Sequence, residues 1–386
     1  MDVSVTPAQP GLPTAEVSII VPARNEELSL GDCLQSLVAQ TGVTYEIIVV
    51  DDGSTDRTRE IAESFSNVKV VSAGPVPTGW TGKNNAVVAG VKQAAGNWLL
   101  FTDADTVHLT GSLARALAEA KKNDVGMLSY SPEQITVTFW EMATLPVVFA
   151  ELARQYPPSK VSDPDSAIAA ANGQYILIQR AAYEALGGHA AIASNLLEDA
   201  ALARAVKQSG RKIRFRYGAD VVRTRMYRSF RQLREGWIKN LALLFPHTGG
   251  LALRTLVWWV IGWGIFFFPM LMPIGVGLTN RVASLTQFHG AFLVLARIAD
   301  HWWWHGPTIL GPLFLVQRLR RANFTSDMEI LGSLFGYPMF AYLLLRSKRA
   351  HEQGSVPWKG RSYSSQSLGS SHAGLPDAKH ALKSGC

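Results

Sequence analysis

Four short apolar runs in the first hundred residues, "VSIIVP" (17–22), "EIIVV" (46–50), "VKVV" (68–71) and "NWLLF" (97–101), alternate with segments of helical character. The runs are continuous and largely β-branched, the pattern of strands buried on both faces. Between them, "NEELSLGDCLQSLVAQ" reads as a helix capped by Asn25 and "DRTREIAESF" as a second helix. "GKNNAVVAGVKQAAG" reads as a third, closed by Gly96. A βαβα order with such strands predicts an α/β fold, a mostly parallel sheet with helices on both faces. Further along, "NGQYILIQR" and "RKIRFRYG" read as strands. "LLEDAALARAVKQSG" reads as a helix ended by Gly210, with Leu202, Ala205 and Val206 on one face.

In a sheet of this kind ligands bind at the carboxyl ends of the strands. "VVDDGSTD" and "LLFTDADT" fall at two such ends, so their acids should face one crevice. Asp103 and Asp105 stand one residue apart, where like charges repel unless water or a cation intervenes. The chain has no Gly-rich phosphate loop of either common kind. Two close carboxylates can instead recruit Mg²⁺ or Mn²⁺, which takes its other oxygens from substrate phosphates and water. Such a metal would neutralise a diphosphate leaving group. An Asp-x-Asp pair by itself is common in solvated loops.

The second half changes character. Residues 135–156 are apolar with few charges and read as a helix pair broken at Pro146, placed in a core or along a membrane. Residues 255–280 carry no charge and are long enough to cross a bilayer. Two further apolar zones, 287–316 and 330–345, are followed by the basic clusters "RLRR" and "RSKR". Only 17% of the chain is charged, low for a wholly soluble enzyme, and the net charge is +7. A positive balance beside apolar segments favours an anionic membrane surface or a phosphorylated substrate over nucleic acid. The N-terminus lacks the pattern of a signal peptide, which places the first domain in the cytoplasm. Two cysteines, Cys33 and Cys386, exclude a cysteine metal site and argue against a structural disulfide. The expected division is a flexible tail (1–15), an α/β domain (16–240), a membrane region (241–350) and a cytoplasmic or disordered tail (351–386).

"VSIIVPARNEE", "VVDDGSTD", "FTDADT", "LLEDAALA" and "RMYRSFRQLREGWIKN" occur in the order seen in family 2 glycosyltransferases of the GT-A fold, which the chain resembles across roughly residues 16–240. "PTGWTGKNNAV", "NGQYILI" and, after the last apolar zone, "VPWKGRSY" make it similar to a membrane-attached subgroup. These are the carotenoid- and hopanoid-associated enzymes of the diaponeurosporenoate glucosyltransferase type. The resemblance implies that Pro22, Asp52, Lys83 and Asp103 bind the nucleotide, with Asp52 reading the uracil. It implies that Asp105, with Asp103, holds the metal. Asp199, beside Glu198, becomes the base that takes the acceptor's proton. Arg225, Arg228 and Trp237 fall where relatives carry a Gln-x-x-Arg-Trp motif for phosphate and acceptor. This sequence departs from that motif, leaving the phosphate role open among Arg225, Arg228 and Arg231. His189 reads as structural. The implied activity is inverting transfer of a sugar, glucose first, from a UDP-sugar to a lipid-like acceptor such as a carotenoid or other terpenoid. It would need Mg²⁺ or Mn²⁺ and would occur at the cytoplasmic face of a multi-pass cell-membrane protein. Transfer to a polyprenyl phosphate, and a non-catalytic membrane assembly role, are the alternatives.

Overall fold

A computed structural model describes residues 15–261, 317, 319–320, 322–358 and 361–364. The described residues form two compact units. The first comprises those up to Ile135, Arg154–Pro246 and those from Arg349 onward. The second comprises Thr136–Ala153 and the described part of His247–Lys348.

The chain begins β1 (Val17–Ala23), α1 (Leu30–Val38), β2 (Tyr45–Asp51), α2 (Thr58–Glu63), β3 (Val68–Ser72), α3 (Gly82–Val91) and β4 (Trp98–Phe101). It continues through β5 (Thr106–His108), α4 (Ser112–Lys122), β6 (Met127–Ser131), β7 (Glu133–Gln134), α5 (Phe139–Gln155) and α6 (Pro158–Ser162). Next come β8 (Ile176–Gln179), α7 (Arg180–Ala185), α8 (Gly188–Ala191), α9 (Glu198–Gln208), β9 (Ile213–Tyr217), β10 (Val222–Thr224) and α10 (Phe230–Leu244). Helices α11 (Thr248–Ile261) and α12 (Asp327–Glu352) follow, then a hairpin of β11 (Ser355–Trp358) and β12 (Arg361–Ser364).

The main sheet has seven strands in the order β3-β2-β1-β4-β8-β6-β9. β1 to β4 run parallel; β8 is antiparallel to both of its neighbours, and β6 pairs with β9 in parallel. The expected mostly parallel α/β sheet is therefore present. Strands β1, β2 and β4 are buried along most of their length, as their unbroken apolar character requires, whereas the edge strands β3 and β9 are largely half-buried or exposed. Val17, Ile19 and Val21 of β1 join a core shared with α1 and α4, while Ile20 joins a second core shared with α3 and α9. A smaller sheet in the first unit has the order β5-β10-β7.

Three expected elements come out differently. Asn25 does not cap a helix: α1 starts at Leu30 after Ser29, and Asn25 sits at φ 53°. The Asn25 side-chain oxygen instead accepts from the Thr55 amide at 2.9 Å, tying the loop after β1 to the loop after β2. The third helix stops at Val91, well before Gly96, which enters β4 with its amide on Ser18 Oγ at 2.7 Å. Finally, α5 is one helix through Pro146, not a broken pair. Proline costs one backbone bond there, to the Met142 carbonyl four residues back. In the second unit that carbonyl lies against Gly332 of α12. One turn on, Gly336 brings the two backbones so close that an added Cβ would stand 1.8 Å from the Ala143 oxygen. The pair is a Gly-x-x-x-Gly contact of the kind that lets helices approach.

Among the described residues, α12 alone is long and apolar enough to cross a membrane. It covers the expected apolar zone 330–345. The zone 287–316, most of 255–280 and the whole tail beyond 364 lie outside the described residues. Residues 355–364, assigned by sequence to the C-terminal tail, include a hairpin belonging to the first unit.

Candidate active site

The parallel register sets the ends of β1, β2 and β4 side by side. Ala23 pairs with Asp51, and Ile20 with Phe101. Asp52 and Asp103 therefore emerge beyond the same edge, as strand-end positions in such a sheet should. Pro22 stands in β1 opposite Val50. Asp52 continues the pairing by donating its amide to the Ala23 carbonyl at 2.9 Å. Its carboxylate is buried and takes a fork from the Arg361 guanidinium of β12: Nη1 on Oδ2, and Nη2 on Oδ1 at 3.0 Å. Arg24 binds the Asp52 carbonyl and, at 3.2 Å, that of Gly53. Neighbouring Asp51 turns the other way and accepts from the Ser54 amide at 3.0 Å.

Lys83 opens α3, whose N-cap Thr81 accepts from the Asn84 amide. The lysine side chain reaches two acids at once, Asp103 Oδ1 at 2.6 Å and Glu198 Oε1 at 2.7 Å. Burial works against the ammonium, but Asp103 and Glu198 together hold it well above the usual lysine value. Glu198 and Asp199 form the first turn of α9, where the helix dipole favours negative charge. Asp199 is held by two amides, Gly173 at 3.1 Å and Ala200 at 2.7 Å. A Cβ at Gly173 would stand 3.2 Å from the Lys83 ammonium and 3.3 Å from Glu198, so a side chain there would crowd the group.

The two acids titrate apart. Burial would raise the Glu198 carboxyl, but Lys83 and then Lys239 outweigh it and keep it below the usual range. Burial, reinforced by the negative Glu198, pushes Asp199 up to about 6. One carboxylate serves as a fixed counterion and the other is poised near neutrality, the division expected of a general base. Lys239 of α10 belongs to the same electrostatic group: burial lowers its ammonium, while Glu198 opposes that shift. Nothing in the local sequence of "GWIKN" distinguishes Lys239 from a surface lysine, so reading the chain missed it.

Asp105 follows Asp103 in the loop into β5, and its carbonyl accepts from Thr224 Oγ1 at 3.1 Å. Among the described residues no three His, Cys, Asp or Glu side chains assemble into a ready-made metal cage. The donors expected from sequence, Asp103 and Asp105, are oxygen only, and Asp103 Oδ1 is paired with the Lys83 ammonium. That set fits a hard divalent ion completed by substrate phosphates, not zinc.

The expected phosphate and acceptor residues spread out. Arg225 is half-buried between β10 and α10. Arg228 is exposed and donates from Nη2 to the Leu28 carbonyl at 3.0 Å. Arg231 pairs with Glu235 on the helix surface at 2.9 Å. Trp237 is buried against Tyr227, ring centroids 6.1 Å apart, and so anchors α10 to the loop before it. His189 is buried with Nδ1 3.0 Å from the Tyr183 hydroxyl, and burial drops its pKa to about 4, so it is neutral and structural.

Residues 18–186 match the sequence profile described as glycosyl transferase family 2. Over 352 residues, 90% of this chain and 88% of the relative, the sequence is 27% identical to the 4,4'-diaponeurosporenoate glycosyltransferase of Staphylococcus aureus. Among solved structures, the mannosyltransferase PcManGT of Pyrobaculum calidifontis, in complex with GDP-Man and Mn²⁺, aligns with TM-score 0.44 and 18% identity, over 80% of this chain and 86% of that one. S. aureus TarS aligns with TM-score 0.40 and 20% identity, over 58% of this chain and 40% of its own length.

Proposed function

We propose that the chain is a glycosyltransferase of family 2, whose profile matches residues 18–186, and that it moves a sugar from a UDP-sugar to a lipid-like acceptor at a membrane. The observation that carries this reading is the convergence of Lys83, Asp103, Glu198 and Asp199, from three distant segments, on one point beyond the sheet edge.

In the proposed reaction Asp52 reads the base, its carboxylate accepting the uracil imide N–H. Lys83, with Asp103, meets the charged part of the donor at the start of α3. A divalent ion held by Asp103 and Asp105 would offset the diphosphate's charge as the bond to the sugar breaks. Asp199 removes the acceptor hydroxyl's proton while that oxygen forms a bond to the anomeric carbon. The bond from that carbon to the diphosphate breaks, UDP leaves, and the sugar is inverted. Glu198 stays ionised on Lys83 and keeps the Asp199 carboxyl basic enough for the task. Arg225 and Arg228, on the loop before α10, are the arginines proposed to meet the departing phosphate, and Trp237 holds that loop in place.

The acceptor class rests on two supports. The S. aureus relative is named for a carotenoid acid. In the second unit, α12 exposes Met328, Leu331, Phe335, Tyr342 and Leu345. Their spacing of three, four and seven residues makes one apolar stripe, suited to hydrocarbon. Glucose is the proposed sugar. Lipid profiling of a strain lacking the protein tests the acceptor: one glycolipid should vanish while its aglycone accumulates. An unchanged lipid profile would contradict it.

A further inference from the structure

The only groups on the carboxylate oxygens of Asp52, among the described residues, are the two guanidinium nitrogens of Arg361. A nucleobase imide must bring its N–H within about 3 Å of one of those same oxygens. Arg361 arrives from β12, beyond the last apolar zone of the sequence, and is packed closely into its place. Gly82, at the start of α3, is what makes room. A Cβ there would fall 1.7 Å from Arg361 Nη1 and 2.5 Å from Asp52 Oδ2. The guanidinium thus fills the gap between the end of β2 and the start of α3, where a base reading Asp52 has to enter. The hairpin that delivers it has a separate anchor. Val356 is fully buried with Leu196 and Leu243, against the half-buried Leu197 and Tyr363. Leu196 and Leu197 lead directly into Glu198 and Asp199, so one hairpin touches both the Asp52 pocket and the catalytic turn.

We propose that Arg361 is a residue of the donor site that occupies the nucleobase position on Asp52 and is displaced when the nucleotide binds. The inference rests on Asp52 being the base-reading acid. A planar, permanently charged fork suits the part, since it satisfies a buried carboxylate in both oxygens while the pocket is empty. Without it, Asp52 would be a buried charge lacking a partner. Displacement makes the nucleotide compete with an internal ligand, so the apparent dissociation constant exceeds the intrinsic one by the reciprocal of the fraction of open sites. Recognition is thereby tuned by a residue on the C-terminal hairpin.

The test is titration calorimetry of UDP with Mg²⁺ into the detergent-solubilised full chain. R361A should bind UDP about tenfold more tightly if the pocket is closed roughly nine-tenths of the time. R361K, which keeps the charge and loses the fork, should fall between R361A and the parent. Val356 holds the hairpin independently, and R361K keeps a cation beside Asp52, so the comparison survives should R361A prove unstable. D52N should weaken UDP binding in the R361A background, where Arg361 no longer competes. Weaker or unchanged UDP binding in both R361A and R361K, with D52N still weakening it, overturns the displacement while leaving the base-reading role intact. Unchanged binding when D52N is added to R361A, where no guanidinium competes, overturns the base-reading role and the displacement with it.

Discussion

Lys83 and Glu198 form an ion pair at 2.7 Å, joining the first turn of α3 to the first turn of α9. Asp103, from the end of β4, completes the group on the same ammonium. The lysine is the hub of the site: its side chain is about one-third exposed, so it is open to a ligand yet screened from bulk water on the other side. Replacing it with methionine should lower kcat/KM on the order of a hundredfold, the usual effect of losing one preorganised charge-stabilising donor. Steady-state kinetics with the purified protein checks this, and an effect under threefold would remove Lys83 from the donor site.

In the proposed reaction Asp199 sets the pH dependence. Its carboxyl is pushed up to about 6 by burial first and by Glu198 second. A base works only when deprotonated, so kcat/KM should climb as pH rises through about 6 and level off above pH 7. D199N should lower kcat on the order of 10²- to 10⁴-fold and abolish that acidic limb in the residual rate. A phosphate acceptor ionises without help, so with a polyprenyl phosphate D199N would keep substantial activity. The kcat profile of the variant across pH 5–8 separates a hydroxyl acceptor, which needs the base, from an acceptor that is already ionised, whether phosphate or carboxylate.

Removal of divalent ions by EDTA should stop transfer, and Mg²⁺ or Mn²⁺ should restore it. D105A should raise the metal concentration needed for half-maximal activity about tenfold or more, with D103N showing a similar but compound effect because Asp103 also holds Lys83. Full activity in EDTA would exclude the role assigned to the Asp103–Asp105 pair.

In the second unit, G336L should be strongly destabilising. The Ala143 oxygen stands in the way of any side chain at that position. Forcing bulk into a well-packed contact costs about 1–3 kcal/mol. Thermal unfolding of the solubilised chain measures it, and an unchanged midpoint would mean that α5 and α12 do not pack as described.

Much of this site could be read from the chain because its signals are local. β1 to β4 announce themselves by unbroken β-branched runs, and Asp52 and Asp103 sit where such runs end. Glu198 and Asp199 open a helix on which Leu202 and Val206 are buried as the periodicity requires, with Ala203 buried and the expected Ala205 only half-buried. Pairings made across the sheet left no local trace. Lys83 beside "GWTG" gives no sign of reaching Glu198, and Lys239 looks like any polar position on an amphipathic helix. Pro146 misled because α5 runs through it in one piece, packed against α12 at Gly332 and Gly336, which are distant in sequence. "VPWKGRSY" was visible as a motif, but that its arginine returns to Asp52 follows only from tertiary packing. Asn25 looked like a cap by residue type, whereas its left-handed backbone serves a loop-to-loop bond.

The most direct measurement is transfer of radiolabelled sugar from UDP-glucose into the organic phase of a lipid extract, catalysed by the solubilised full chain with Mn²⁺. Label should move into lipid with the wild type and fall to background with K83M and with D199N. Label that reaches lipid equally well with both variants, or that never leaves the aqueous phase for any UDP-sugar tried, would contradict a donor site built on the Lys83–Asp103–Glu198–Asp199 group.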